Sequence, residues 1–205
     1  MGVMAAERKR NPRWEEVPPE PIPFEDVLDM RNRIDTGKRR AEIIGGVLIV
    51  SPMPVFWHEK ACHWLLLSFL EACTANDWFP DTKGEIKLPP TRDLIAPDLM
   101  ILRDASTVPN FESERPLDRV LLAAEVISSS SIQRDREVKP RACALAGIPL
   151  YLLVDRFTKP LTISLHSEPG TDGYAKVTTV IAGEKLQLPA PFDLTLDTSS
   201  LPLPA

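Results

Sequence analysis

The chain has 205 residues, 43% hydrophobic and 26% charged, enough for one globular domain whose core needs no disulfides. A formal charge of −5 argues against a broad surface that coats nucleic acid, though not against a local basic cleft. Three cysteines (Cys62, Cys73, Cys143) without a CxxC pair favour a reducing, cytoplasmic setting. No apolar run is long enough to cross a bilayer, and Met1–Arg10 lacks a signal peptide's apolar segment.

Residues 1–22 mix basic residues, glutamates and prolines without periodicity, and read as a flexible arm before a domain over 23–198. Phe24-Glu-Asp-Val-Leu-Asp-Met30 predicts a short helix. In Ala41-Glu-Ile-Ile-Gly-Gly-Val-Leu-Ile-Val50, two β-branched runs flank Gly45-Gly46, the signature of a tight hairpin. From His58 to about Cys73, apolar residues recur at three- and four-residue steps, so a helix follows. Glu85–Leu88 is a candidate strand, Pro89–Asp93 a loop, and Ala96-Pro97-Asp98-Leu-Met-Ile-Leu102 the next strand. Period-two alternation puts Asp98, Met100 and Leu102 on one face.

Leu121–Ile127 is apolar throughout except for Glu125, which suits a strand buried on both faces. A serine run, Ser128–Ser131, leads into a helix of roughly four turns that Gly147 ends. Ile148–Asp155 is a second buried strand. Strand, crossover and strand together predict a parallel βαβ unit. Leu161–His166 and Tyr174–Ile181 form a second hairpin around Pro169–Gly173, and Pro191–Asp197 an extended edge segment before a tail at 199–205. The elements describe one α/β domain.

Glu125 cannot stay ionised in such a run without a cation or several hydrogen bonds. On a helical wheel with Val138 at zero, Ala142, Leu145 and Ala146 fall in one apolar quadrant, with Asp135 inside it and Lys139 at its margin. Arg136, Glu137 and Arg141 point away. Asp98 and Glu125, from neighbouring strands, with Lys139 beside them, have the makings of a divalent-cation site. Structural readings stand alongside. Glu125 can pair with Lys139 or Arg141, Lys139 with Asp135 one turn away, and Asp98 can accept backbone hydrogen bonds. Glu42 can be a solvated acid, and His58 a helix-start histidine. His58 and Cys62 have zinc-like i,i+4 spacing, but no second pair of ligands accompanies them. Helix capping accounts for the serines.

The ordered set of Glu42-Ile-Ile-Gly-Gly, His58, Ala-Pro-Asp98-Leu, Ala-Glu125-Val-Ile-Ser-Ser-Ser, Asp135-Arg-Glu-Val-Lys139 and Ala-Gly147-Ile-Pro-Leu-Tyr-Leu-Leu-Val-Asp155 resembles the bacterial Uma family, within the PD-(D/E)XK nuclease superfamily. The resemblance implies a restriction-endonuclease-like mixed β-sheet flanked by helices, with N-terminal and C-terminal β-hairpins. It implies a metal-dependent endonuclease acting on DNA, and homodimerisation would suit a duplex cutter. Asp98, Glu125 and the main-chain carbonyl of Ile127 would hold Mg²⁺ or Mn²⁺. Lys139 would orient the nucleophile or stabilise charge on the phosphate. Glu42 would be an outer acid, His58 a proton or phosphate contact, and Asp135 a further acid of the site. A second reading keeps the fold as a binding or assembly module without catalysis. The Lys139-Pro140 junction bears on that choice, because proline disfavours helical geometry before it. The helix should kink, or begin near Pro140, and could displace Lys139.

Overall fold

A computed structural model describes residues 22–34, 40–52, 55–107 and 114–204; the arm expected over 1–22 lies, apart from Ile22, outside the described residues. Helix α1 (Phe24–Asn32) packs on the hairpin of β1 (Arg40–Ile44) and β2 (Val47–Ser51). Gly45 and Gly46 take positive φ at the hairpin's turn, the conformation that glycine adopts without a steric penalty. Helix α2 spans Phe56–Ala75 and buries Ala61, Trp64, Leu65 and Phe69. None of the described helices is long and apolar enough to cross a membrane.

Strands β3 (Phe79–Asp81), β4 (Ile86–Leu88), β5 (Asp93–Ile95) and β6 (Leu99–Leu102) follow. Two corrections arise here. Asp93 lies in a strand where a loop was expected, and β3 was not expected at all. Both strands have three residues and carry turn-type residues (Asp, Pro), so tertiary pairing overrides local preference. The strand expected from Ala96 begins at Leu99, leaving Asp98 at its entrance.

Strand β7 (Val120–Val126) lies parallel to β8 (Leu150–Asp155), as a βαβ unit requires. The crossover is helical without a break over residues 132–145, close to the four turns expected. Within it lie a π turn over Arg134–Val138 and a seven-residue α3 (Lys139–Leu145), with Pro140 in the first turn of α3. Pro140 offers no N–H to the preceding turn, and the Tyr151 hydroxyl donates to the Asp135 carbonyl at 2.9 Å. The wider π turn takes more residues per revolution than the wheel assumed. Val138, expected inward, is therefore 38% exposed, while Asp135 and Lys139 stay buried.

The second hairpin, β9 (Thr162–Gly170) with β10 (Gly173–Ile181), is longer and tighter than expected. A small sheet of β11 (Lys185–Gln187) and β12 (Thr195–Asp197) precedes a C-terminal stretch held on α2. Trp57 donates to the Pro202 carbonyl and Trp64 to the Ser200 hydroxyl, so part of the expected tail is packed.

The main sheet has the order β10-β9-β8-β7-β6-β3, and a second sheet the order β2-β1-β5-β4. The fold is mixed α/β. Leu122, Ala124 and Val126 face α2 on one side of β7, while Ala123 faces α3 and the second sheet. Alternation puts Glu125 on that second face with Ala123. Leu99 pairs with Ala124, so one step further places Asp98 opposite Glu125.

Candidate active site and metal centre

Where β7, the entrance of β6, β1 and the π turn meet, side chains enclose a cavity of about 790 Å³. Asp98 is 5% exposed, Glu125 2% and Lys139 3%. The Lys139 ammonium lies 2.7 Å from Glu125 Oε1, 3.0 Å from Glu42 Oε1 and 3.2 Å from Asp135 Oδ1. The last contact lacks hydrogen-bond geometry, for Asp135 Oδ1 has no hydrogen-bond partner among the described residues. Glu42 is fixed a second time because the Ala96 amide donates to its Oε1 at 2.9 Å. The lysine is not displaced by Pro140.

Asp98 is held separately. Its Oδ1 accepts from Arg40 at 2.6 Å, and its Oδ2 from the Val126 amide at 2.8 Å, with His58 Nε2 3.1 Å from the same oxygen. Burial alone would push this carboxyl up. The Arg40 guanidinium, His58 and the Val126 amide more than offset it and hold Asp98 well below the usual carboxylate range. Glu125 behaves oppositely. Burial, against the pull of Lys139 and reinforced by the charges of Asp98, Asp135 and Glu42, pushes its carboxyl well above the usual range. Burial disfavours the Lys139 ammonium, but Glu125, Glu42 and Asp135 outweigh it and raise its pKa. Lys139 therefore stays cationic while Glu125 is the acid that most readily takes up a proton.

Four buried acids (Glu42, Asp98, Glu125, Asp135) thus have two permanent cations in direct ion-pair contact, Arg40 and Lys139. Such an imbalance suits a further cation. Glu125 is held through Oε1 alone, and its Oε2 receives no hydrogen bond among the described residues. This all-oxygen donor set matches a hard divalent ion such as Mg²⁺ or Mn²⁺. Asp98 Oδ1 retains one lone pair beyond the bond to Arg40. The residues fit a divalent cation, provided that Arg40 shares or leaves Oδ1.

His58, Cys62 and Asp98 also bring three potential ligand atoms within 4.8 Å of one another. Cys62 Sγ lies 3.4 Å from His58 Nδ1, and His58 Nε2 faces Asp98. Both ring nitrogens are thereby engaged in a chain of hydrogen-bonding groups. Burial, then the Asp98 charge, pushes the Cys62 thiol up and keeps it from ionising.

The family model Uma2, described as "Putative restriction endonuclease", matches residues 24–199. The chain belongs to this family. A crystal structure described as a "putative nuclease belonging to DUF820" from Anabaena variabilis superposes with a TM-score of 0.69 at 16% identity, covering 88% of this chain and 97% of that one. At that identity the likeness shows the fold. No curated protein matches the chain.

Of the residues expected from the Uma resemblance, Asp98, Glu125, Lys139, Glu42, His58 and Asp135 all line one cavity. Ile127, expected to contribute its main-chain carbonyl, follows Val126 of the cavity wall and precedes Ser128, with its side chain fully buried in the core. Arg40 was missed. Its signal was available, since period-two alternation along β1 places Arg40 on the same face as Glu42, but its strand looked complete from Ala41 onward.

Proposed function

We propose that this Uma2-family chain is a metal-dependent endonuclease that hydrolyses phosphodiester bonds in DNA. One observation carries the reading. Asp98 and Glu125, opposite each other on neighbouring strands, share a cavity with a lysine 2.7 Å from Glu125. Asp98 Oδ1 and Glu125 Oε2 would hold Mg²⁺ or Mn²⁺. A bound ion of that class supplies Lewis acidity toward phosphate and lowers the pKa of water beside it.

The chain's own side chains do the rest. Lys139 has three N–H donors, of which one is given to Glu125, while Glu42 faces the ammonium as an ion pair at 3.0 Å. The longer Asp135 contact is the one to give up, freeing an N–H for the attacking water or a phosphate oxygen. Glu42, tied to the Ala96 amide, keeps the ammonium in place. His58 and the Val126 amide hold Asp98 through Oδ2, so Oδ1, shared with Arg40, is the oxygen available to an ion.

The test is cleavage of linear and supercoiled duplex DNA with Mg²⁺ or Mn²⁺. Asp98→Asn, Glu125→Gln and Lys139→Ala should each reduce the rate by about 10²–10³-fold. Wild-type protein that cleaves no DNA with either ion, while binding both, would sink the reading.

A second reading has its own observation. Asp98 is already satisfied by Arg40, His58 and the Val126 amide, as in a closed structural network. In a non-catalytic binding or assembly module, neither ion would alter the protein's melting temperature.

A further inference from the structure

The cavity's cations divide into two kinds. Arg31 is paired with Glu85, Arg40 with Asp98, and Lys139 with three acids. Arg134 and Arg156 meet no carboxylate among the described residues, although both line the same cavity. Arg134 opens the π turn, and its Nε is buried without a hydrogen-bond partner. A buried donor left unmade carries the full desolvation penalty, so its retention calls for a ligand. Arg156 follows β8, with its guanidinium over the rings of Trp57 at 5.3 Å and Phe157 at 4.8 Å. Those ring contacts hold the group in place yet leave its in-plane donors for an anion.

Ser128–Ser131 also line the cavity wall. The Ser128 amide is taken by the Ser131 hydroxyl at 3.1 Å, and the hydroxyls of Ser128 and Ser130 lie 3.2 Å apart. This edge therefore offers two unneutralised guanidinium groups and a set of small hydroxyls beside a strongly acidic floor. A monoanion with oxygens on several sides matches it, and the acidic floor would repel the same ligand one step further in.

We infer that Arg134 and Arg156, with the serine turn of the same cavity wall, grip a backbone phosphate of the DNA next to the one under attack. The inference rests on the proposed endonuclease reading and deepens it. Both arginines are positioning residues. They set the register of the strand over Asp98 and Glu125 without touching the reacting phosphorus, and they take no part in choosing bases.

The probe is a fluorescein-labelled duplex oligonucleotide, followed by anisotropy over a salt series with Ca²⁺ in place of Mg²⁺. Each lost phosphate contact should lower the slope of log affinity against log salt by about 0.9. Because both arginines share one phosphate, the double variant should show that drop in full, and Arg134→Gln and Arg156→Gln each a part of it. Arg134→Lys should restore most of the slope, because charge is what the salt dependence reads. Lys176→Gln, on exposed β10 away from the cavity, should leave it unchanged. In cleavage, Arg134→Gln should raise KM with kcat nearly constant. Melting temperatures should match wild type, since no ion pair is removed. Slopes equal to wild type in both single variants overturn the inference while leaving the endonuclease reading intact. Wild-type protein that binds no duplex overturns both.

Discussion

Lys139 is the residue on which the cavity's charge balance turns. Removing one member of a buried ion cluster costs about 3–5 kcal/mol, because the charges left behind lose their partner. Lys139→Met keeps the side chain's length and apolar stem, so the loss isolates the ammonium. Glu125 and Asp135, already raised by burial, would then take up protons in the folded state at still higher pH than in the unfolded one. A native state that binds more protons than the unfolded chain loses stability as pH rises. The deficit of Lys139→Met should therefore grow from pH 5 to pH 8 in urea titrations. A deficit that shrinks with pH would mean that the lysine does not neutralise these acids. Much of this was legible in the sequence. A lone carboxylate in an apolar strand demands a compensator, and the helical wheel named Lys139. Arg40 was not legible to the same degree. A carboxylate at a strand entrance, such as Asp98, can be satisfied by backbone amides alone, so nothing in the sequence demands an arginine there.

At the scale of elements, the π turn and Pro140 belong together. The Lys139 amide donates five residues back to the Arg134 carbonyl. Continuing that pattern would require Pro140 to donate to the Asp135 carbonyl, and proline has no N–H. The Tyr151 hydroxyl, on β8, makes that bond instead at 2.9 Å. One strand thus completes the turn that aims Asp135 and Lys139 inward. Tyr151→Phe leaves a buried carbonyl unsatisfied and should destabilise the protein by about 1–3 kcal/mol. It should also lower kcat more than it raises KM, since the lysine's placement loosens while the phosphate-gripping edge remains. Equal stability for Tyr151→Phe and wild type in denaturant titrations would show that another donor takes the carbonyl. The wheel could not foresee this, because it assumes a uniform turn. Val138 points outward for that reason. The short strands β3 and β5 escaped notice for another, since three residues carry too little periodicity to register.

Across the whole molecule, the sequence made the parallel unit of β7 and β8 and the two hairpins readable, because each is a local pattern. The division into a six-stranded and a four-stranded sheet was not readable. Which sheet β4 and β5 join is decided by packing between distant segments: β5 pairs with β1, and Ile86 and Leu88 of β4 pack against Met100 and Tyr151. That division creates the cavity, and its acidic floor should make metal binding visible in global stability. An ion that binds only the folded state at 100 times its Kd stabilises by about 2.7 kcal/mol. For a chain of this size, that is about 5–10 °C in melting temperature. Glu125 must release its proton to accept the ion, so the shift produced by Mg²⁺ or Mn²⁺ should increase from pH 6 to pH 8. Without metal the slope runs the other way. The Glu125 carboxyl is raised above its unfolded value of about 4.3, so its contribution to stability falls as pH rises through the folded pKa. Glu125→Gln removes both effects. Lys139 keeps Glu42 and Asp135 as partners, so the variant should melt close to wild type at pH 8 without metal, and respond to neither ion. A Glu125→Gln variant that still gains several degrees with Mn²⁺ would place the cation elsewhere among the carboxylates, with Asp98 and Asp135 the next pair to test.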